Sequence, residues 1–303
     1  MRLPFIIATV LCSLIAPPTV EAAPPAPKKI ESKRHAGLNI RVAGKDWGKV
    51  SPQQVQTVLY AVADELLTRL PKKLANTVVV TRTDSHPVAL YERGPKGEYL
   101  VQLHAGDDRW HLYVYEFAHE FCHILSNYEE NAGADVGRYN QWFEETLCET
   151  ASLFALESLA AKWQSAPPTP ELAGQAVKLR RFYEQLIAEG HRQLPPHTEL
   201  AAWVQENETA LRRDPYQREK NDVLAKLLLP LFATDPDRWD AIAYLNLHPA
   251  DPSSSLADYL HHWYDNAPDE HKLFIADVFS LLNGSRIVPL EPRRLALNAP
   301  PAH

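Results

Sequence analysis

The sequence predicts an α+β fold, in which a small mixed sheet precedes a longer, mostly helical half. Four short runs with strand character lie before residue 104, and one amphipathic helix lies among them. From residue 110 onward, apolar residues recur at helical spacing and prolines mark the joints between segments. Glycine is also scarce: the chain has 11 in 303 residues, where average usage would give about 20. This scarcity argues against a glycine-punctuated α/β fold.

The first half has the predicted order strand, helix and three strands. Ser51, with Pro52 at the first turn and Gln54 three positions after the serine, predicts the start of the helix. Residues 93–97 have turn composition and join the last two strands. The predicted strands are 38–42, 77–81, 88–91 and 99–103.

The second half is predicted to be helical throughout. The predicted helices are 110–127, 141–164, 170–190, 198–212, 216–233, 236–247, 253–265 and 268–283. We expect a core domain over 38–165, a helical subdomain over 166–284 and an extended tail over 285–303.

The N-terminus has the features of a secretory signal peptide. A short basic start precedes an apolar stretch over 3–16, and small or aliphatic side chains favour cleavage after Ala22. The alternative, an uncleaved anchor, is disfavoured because this stretch is shorter than the roughly 20 residues that span a bilayer. A proline-rich spacer follows over 23–37. We therefore expect a secreted or periplasmic protein without stable membrane insertion.

The charge of the chain gives no general reason to bind nucleic acid. The formal net charge is −7 and the isoelectric point is near 6.0, whereas nucleic-acid-binding domains are typically basic.

One sequence motif predicts a chemical function. His119, Glu120 and His123 form an H-E-x-x-H sequence inside a predicted helix. Residues four apart share a helix face, so both imidazoles can reach one metal ion. The glutamate beside them is placed to take a proton from a metal-bound water. The alternative is a structural one, in which the helix carries two histidines in the hydrophobic core and binds no metal.

A zinc site needs a third protein ligand and an open fourth position. Glu145 and Glu149 are four apart on the next predicted helix, so either could offer a carboxylate to the metal, and Glu144 competes with Glu145. The segment from Trp142 to Glu145 resembles the W-x-x-E sequence of gluzincin metallopeptidases, and 21 residues separate His123 from Glu145. A metzincin site is disfavoured because position 129 is glutamate rather than histidine.

The gluzincin resemblance implies a zincin-like catalytic core that binds one Zn²⁺ through His119, His123 and Glu145. It also implies that Glu149 holds a ligand histidine by its second ring nitrogen. Residues 214–228 resemble the segment of aminopeptidase-N-like gluzincins whose tyrosine donates to the transition state, which implies that role for Tyr216. The resemblance further implies that strand 99–103 holds the substrate backbone as an added strand.

The exopeptidase motif G-x-M-E-N is missing, since the only methionine is Met1. Endopeptidase and aminopeptidase activities therefore both stay open. Cys122 and Cys148 lie on the two metal-bearing helices, and we expect a disulfide between them, with two buried thiols as the alternative.

The sequence therefore predicts a secreted zinc-dependent peptidase that acts on a peptide or protein substrate. Glu120 is the predicted general base. Two alternatives remain: a non-catalytic, zinc-stabilised peptide-binding protein and a hydrolase of a non-peptide amide, such as a cell-wall cross-link.

Overall fold

The computed structural model describes residues 37–67, 74, 76–128, 140–247 and 254–285. The predicted signal peptide lies outside these residues, as do the spacer and the tail apart from residues 37 and 285. In the described part of the chain, no helix combines the length and apolarity that crossing a membrane requires.

Four short strands form one mixed sheet in the order β1-β2-β4-β3. They are β1 (Ile40–Val42), β2 (Val78–Arg82), β3 (Val88–Leu90) and β4 (Tyr99–Leu103). β1, β2 and β4 are parallel, whereas β3 pairs antiparallel with β4 in the register Ala89 opposite Val101. Each strand overlaps the position expected from the sequence, and the mixed α and β composition is confirmed.

The remaining described elements are helical. The α-helices are α1 (Pro52–Leu66), α2 (Trp110–Leu125), α3 (Gln141–Lys162), α4 (Gln175–Ala188), α5 (Leu200–Arg213), α6 (Arg218–Ala233), α7 (Leu256–Asn266) and α8 (Asp269–Asn283). Three short 3₁₀ segments lie between them, at Pro170–Leu172, Gly190–Arg192 and Pro236–Tyr244.

Local sequence explains where these helices begin and end. Ser51 caps α1 as predicted: its side chain accepts from the backbone of Gln54, whose side chain accepts from the backbone of Ser51. The helix expected over 170–190 is interrupted because Gly174 adopts a φ of +88°, which favours glycine. The helical segment expected over 236–247 is present as a 3₁₀ helix over Pro236–Tyr244.

One expectation about the sheet is wrong. Strand 99–103 was expected to hold an extended substrate, but β4 is hydrogen-bonded to β2 on one side and to β3 on the other. An added strand needs an unpaired edge. Among the described strands, β1 and β3 are the edges of the sheet, and β3 packs against α2.

Helix α3 lies at the centre of the helical packing, against α2, α4 and α6. Most of its residues are buried, so it has no wide polar face. The described residues belong to one compact unit, and a single hydrophobic core includes residues of both halves. The predicted boundary between residues 165 and 166 stays a prediction.

Candidate metal centre

The two histidines of the H-E-x-x-H sequence lie on one face of α2. Their ring centroids are 5.2 Å apart, and the ring planes are inclined by 69°. Phe117 and Phe121 stack on each other at 5.3 Å and are fully buried. Because apolar side chains anchor α2 in the core, the rotation of the helix directs both imidazoles toward α3.

Helix α3 brings a carboxylate to both imidazoles. The Nε2 atom of His119 lies 3.2 Å from Oε2 of Glu145, and the Nε2 atom of His123 lies 3.6 Å from Oε1 of the same residue. The three ligands expected from the gluzincin resemblance are thus brought together. Two imidazole nitrogens and a carboxylate are a donor set that suits zinc.

The charges of these groups support one another. Burial opposes protonation of His123, but the carboxylates of Glu145 and Glu144 outweigh burial and raise the pKa of the imidazole well above its usual value. Burial also works to raise the pKa of Glu145, but the imidazoles of His123 and His119 hold it well below its usual range. Protonated His123 therefore supplies the positive charge that these carboxylates favour.

Glu120 lies beside the imidazoles and faces the edge strand. Its side chain is buried, and its carboxylate accepts a hydrogen bond from the backbone N–H of Ala89 in β3. Burial raises the pKa of Glu120, and the neighbouring imidazoles of His119 and His123 oppose this effect. A raised pKa makes a carboxylate a stronger base, which favours the uptake of a proton.

Glu144 was expected to compete with Glu145 as a ligand, but its carboxylate contacts the other nitrogen of His123. Its Oε1 atom lies 2.7 Å from Nδ1 of His123, on the side of the ring away from Glu145. Metal-binding histidines usually donate their other nitrogen to such a carboxylate. Sequence reasoning missed this role, although the adjacency of Glu144 and Glu145 on one helix places their side chains about 100° apart.

Glu149 lies near His119, as expected, but its hydrogen bonds go elsewhere. Its nearest carboxylate oxygen is 4.0 Å from Nδ1 of His119. Oε2 accepts from the hydroxyl of Tyr115 at 2.5 Å, and Oε1 accepts from Arg192 at 2.8 Å. Burial and Asp222 raise the pKa of Glu149, and the Arg192 guanidinium opposes them.

Tyr216 lies at the rim of the site, before the first residue of α6. It is 60% exposed. Its hydroxyl oxygen accepts a hydrogen bond from Nε2 of Gln141 at 3.0 Å, and the same Nε2 lies 3.5 Å from Oε1 of Glu145. Sequence reasoning missed Gln141, although its position four residues before Glu145 places both on one helix face.

The two cysteines are free thiols in this structure, and both are buried. They lie close enough for a hydrogen bond between the thiols. The expected disulfide therefore stays a prediction. Cys148 also forms a group with His119 and His123 in which one potential ligand atom from each lies within 4.8 Å of the others.

A second cluster of potential ligands lies elsewhere in the described part of the chain. It contains Glu189, His191 and Asp222. The guanidinium of Arg192 already contacts both carboxylates, at 3.0 Å from Glu189 and 3.3 Å from Asp222. Because a resident cation occupies these oxygens, the cluster is an ion-pair network rather than a second metal centre.

Comparison of the chain with protein-family models, with curated proteins and with solved structures gave no significant match.

Proposed function

We propose that this protein is a secreted, zinc-dependent peptidase of the gluzincin type, with a zincin-like core. The observation that carries the proposal is the convergence of the Nε2 atoms of His119 and His123 on the carboxylate of Glu145, with buried Glu120 beside them. A structural zinc site is normally closed by four protein ligands and has no use for a general base.

The residues fit one Zn²⁺ ion. We assign His119, His123 and Glu145 as ligands, a set of two neutral imidazoles and one carboxylate. Cys148 is the competing third donor. We prefer Glu145 because its carboxylate already lies within 3.6 Å of both Nε2 atoms. Burial raises the pKa of the Cys148 thiol well above its usual value, which disfavours the thiolate that ligation requires.

When bound, zinc lowers the pKa of its water and polarises the scissile carbonyl. The chain then supplies the proton transfers. Glu120 takes the proton of the attacking water, which its raised pKa favours, and passes it to the leaving amine. The hydrogen bond from Ala89 places this carboxylate next to β3, where the substrate would lie.

Tyr216 and β3 supply binding to the substrate in this proposal. β3 is the edge strand beside Glu120, and an extended peptide would bind along it through backbone groups other than the Ala89 N–H, which Glu120 occupies. The exposed hydroxyl of Tyr216, linked through Gln141 to Glu145, is the candidate donor to the developing oxyanion.

The experiment compares the mature protein with Glu120→Gln and a matched control, Glu184→Gln, which makes the same change on the exposed surface of α4. Zinc content and cleavage of a peptide library are measured for each. We expect one zinc per chain in all three. We expect the cleavage rate to fall by about 10²–10⁴-fold in Glu120→Gln alone, the range for loss of a general acid–base group.

Other outcomes distinguish the alternatives. If the wild type binds zinc but cleaves no peptide above the background that Glu120→Gln also shows, the peptidase assignment is wrong and a zinc-stabilised binding protein is favoured. Activity on cell-wall amides without activity on peptides would favour the non-peptide hydrolase. A wild type that binds no metal would contradict the metal centre itself.

A further inference from the structure

The carboxylate of Glu144 is held by more than His123. Its Oε1 atom accepts from Nδ1 of His123 at 2.7 Å and from Oγ of Ser126 at 3.2 Å. Its Oε2 atom accepts from Nδ2 of Asn246 at 2.9 Å. Asn246 lies 102 positions later in the chain, just after the segment Pro236–Tyr244. A residue from the chain after Tyr244 therefore reaches the carboxylate that orients His123.

The amide of Asn246 has its orientation fixed by its neighbours. Its Nδ2 donates to two acceptors, the carboxylate of Glu144 and, at 3.0 Å, the backbone carbonyl of Ser126. Its Oδ1 accepts from the hydroxyl of Tyr259 at 2.6 Å. An inverted amide would turn its oxygen toward the Glu144 carboxylate and the Ser126 carbonyl, which can only accept, so these two groups fix the observed orientation and leave Oδ1 to accept from Tyr259.

Two further features hold this arrangement in place. Asn246 is buried and adopts a φ of +54°, a region that asparagine tolerates better than most residues. Tyr259, on α7, packs edge-on against Phe143, the residue before Glu144, with the ring centroids 6.2 Å apart. The amide of Asn246 is thus directed to Glu144, and the hydroxyl of Tyr259 is directed to that amide.

We infer that Asn246 and Tyr259 are positioning residues that hold Glu144 on Nδ1 of His123 and so direct the Nε2 atom of His123 to the metal. This inference rests on the proposed zinc centre. Tyr259 acts through Asn246, Asn246 acts through Glu144, and neither residue touches the metal position. The part of the chain after Tyr244 thereby contributes to the affinity of a site whose ligands all lie in α2 and α3.

The test measures zinc affinity by competition with a fluorescent chelator for the wild type, Asn246→Gly, Tyr259→Phe and the double variant. Glycine accepts the positive φ of position 246 and removes only the side chain. Tyr264→Phe is the control, because it makes the same change on α7 in a ring that faces Lys272 of α8. Denaturant unfolding of the metal-free proteins is measured in parallel, so that a loss of affinity can be separated from a loss of stability.

We expect Asn246→Gly to weaken zinc binding by about 10–100-fold, the range for outer partners of metal ligands. Tyr259→Phe should weaken it less, and the double variant should match Asn246→Gly because Tyr259 acts only through Asn246. Tyr264→Phe should bind zinc like the wild type.

Two results would overturn the inference while leaving the zinc centre intact. The first is wild-type zinc affinity in both single variants, with any effect confined to the unfolding of the metal-free protein. The second is a double variant whose loss equals the product of the single losses, because that would make the two residues independent. If the wild type binds no zinc, the proposed function fails and this inference fails with it.

Discussion

The guanidinium group of Arg192 lies 2.8 Å from the Oε1 atom of Glu149, 43 positions earlier in the chain. The two side chains are 2% and 6% exposed. The same guanidinium contacts Asp222 and Glu189. This buried ion pair joins the segment after α4 to α3 and holds Glu149 beside Nδ1 of His119.

Replacing Arg192 should therefore be costly for folding. We expect Arg192→Met to lower the free energy of unfolding by about 3–5 kcal/mol, since the Glu149 carboxylate stays buried without its charged partner. Denaturant unfolding of the metal-free protein measures this.

The control for Arg192 is Lys272→Met. The partner of Lys272, Asp269, is 98% exposed, so the free energy of unfolding should be nearly unchanged. Glu149→Gln in the Arg192→Met background should restore part of the stability by removing the uncompensated charge. If it restores none, the loss comes from packing around the arginine and the electrostatic explanation is wrong.

Zinc binding should depend on pH through His123. Its raised pKa in the metal-free protein means that the proton stabilises the folded state below the pKa of the unfolded chain, and that this stabilisation is lost as the pH rises through the folded pKa. Zinc needs the unprotonated imidazole, so binding at pH 7 should release about one proton from this residue. Affinity should then rise about tenfold per pH unit until the folded pKa is reached.

Calorimetric titration of zinc in buffers with different ionisation enthalpies counts the released protons. A Glu144→Gln variant provides the comparison, because it keeps all three proposed ligands but removes one of the carboxylates that raise the pKa of His123. Binding to the wild type without proton release, at an affinity independent of pH, would mean that His123 is already neutral in the metal-free protein.

Local pattern was enough to predict much of the fold. The capping residues Ser51 and Gln54, the β-branched strands and the periodicity of α2 and α3 all express short-range preferences, and the elements lie close to where they were expected. The pairing of the strands is not local. Strand 99–103 was assigned a role that its place between β2 and β3 forbids, because the neighbours of a strand depend on the whole sheet.

The candidate site divides in the same way. His119, Glu120 and His123 are set by spacing along one helix, and Glu145 by a short segment that follows. Arg192 and Asn246 carry no local signal, because their partners lie 43 and 102 positions away in the chain. Buried polar residues of this kind are recognisable only when packing shows which acceptors they satisfy.

The role proposed for Tyr216, at the rim of the site, can be tested by enzyme kinetics. If its hydroxyl donates to the oxyanion, Tyr216→Phe should lower kcat by about 10²–10³-fold with little change in KM, because the interaction forms only in the transition state. Since the side chain is 60% exposed, stability should hardly change. Steady-state kinetics on a cleaved library peptide measures both constants.

Tyr183→Phe on α4 is the control for Tyr216, since its hydroxyl bonds Glu157 away from the metal ligands. An increase in KM at constant kcat would show that Tyr216 only binds the substrate. Unchanged kinetics would remove it from the mechanism.

The Cys122–Cys148 pair can be tested by thiol titration of the mature protein, denatured without reduction. The thiols lie in contact between α2 and α3, and we expect none to be free after folding in an oxidising compartment. A disulfide that closes the loop between Cys122 and Cys148 should stabilise the protein by about 3–4 kcal/mol relative to the reduced form. Two free thiols would mean that the bridge is absent.

The order of folding and oxidation should matter for this bridge. Burial raises the pKa of the Cys148 thiol well above its usual value, so little thiolate is present once α2 and α3 have packed. We therefore expect oxidised glutathione to form the bridge during refolding but to react slowly with the folded, reduced protein. Equal rates in the two experiments would show that the thiols stay accessible after folding, and would contradict the burial of the pair.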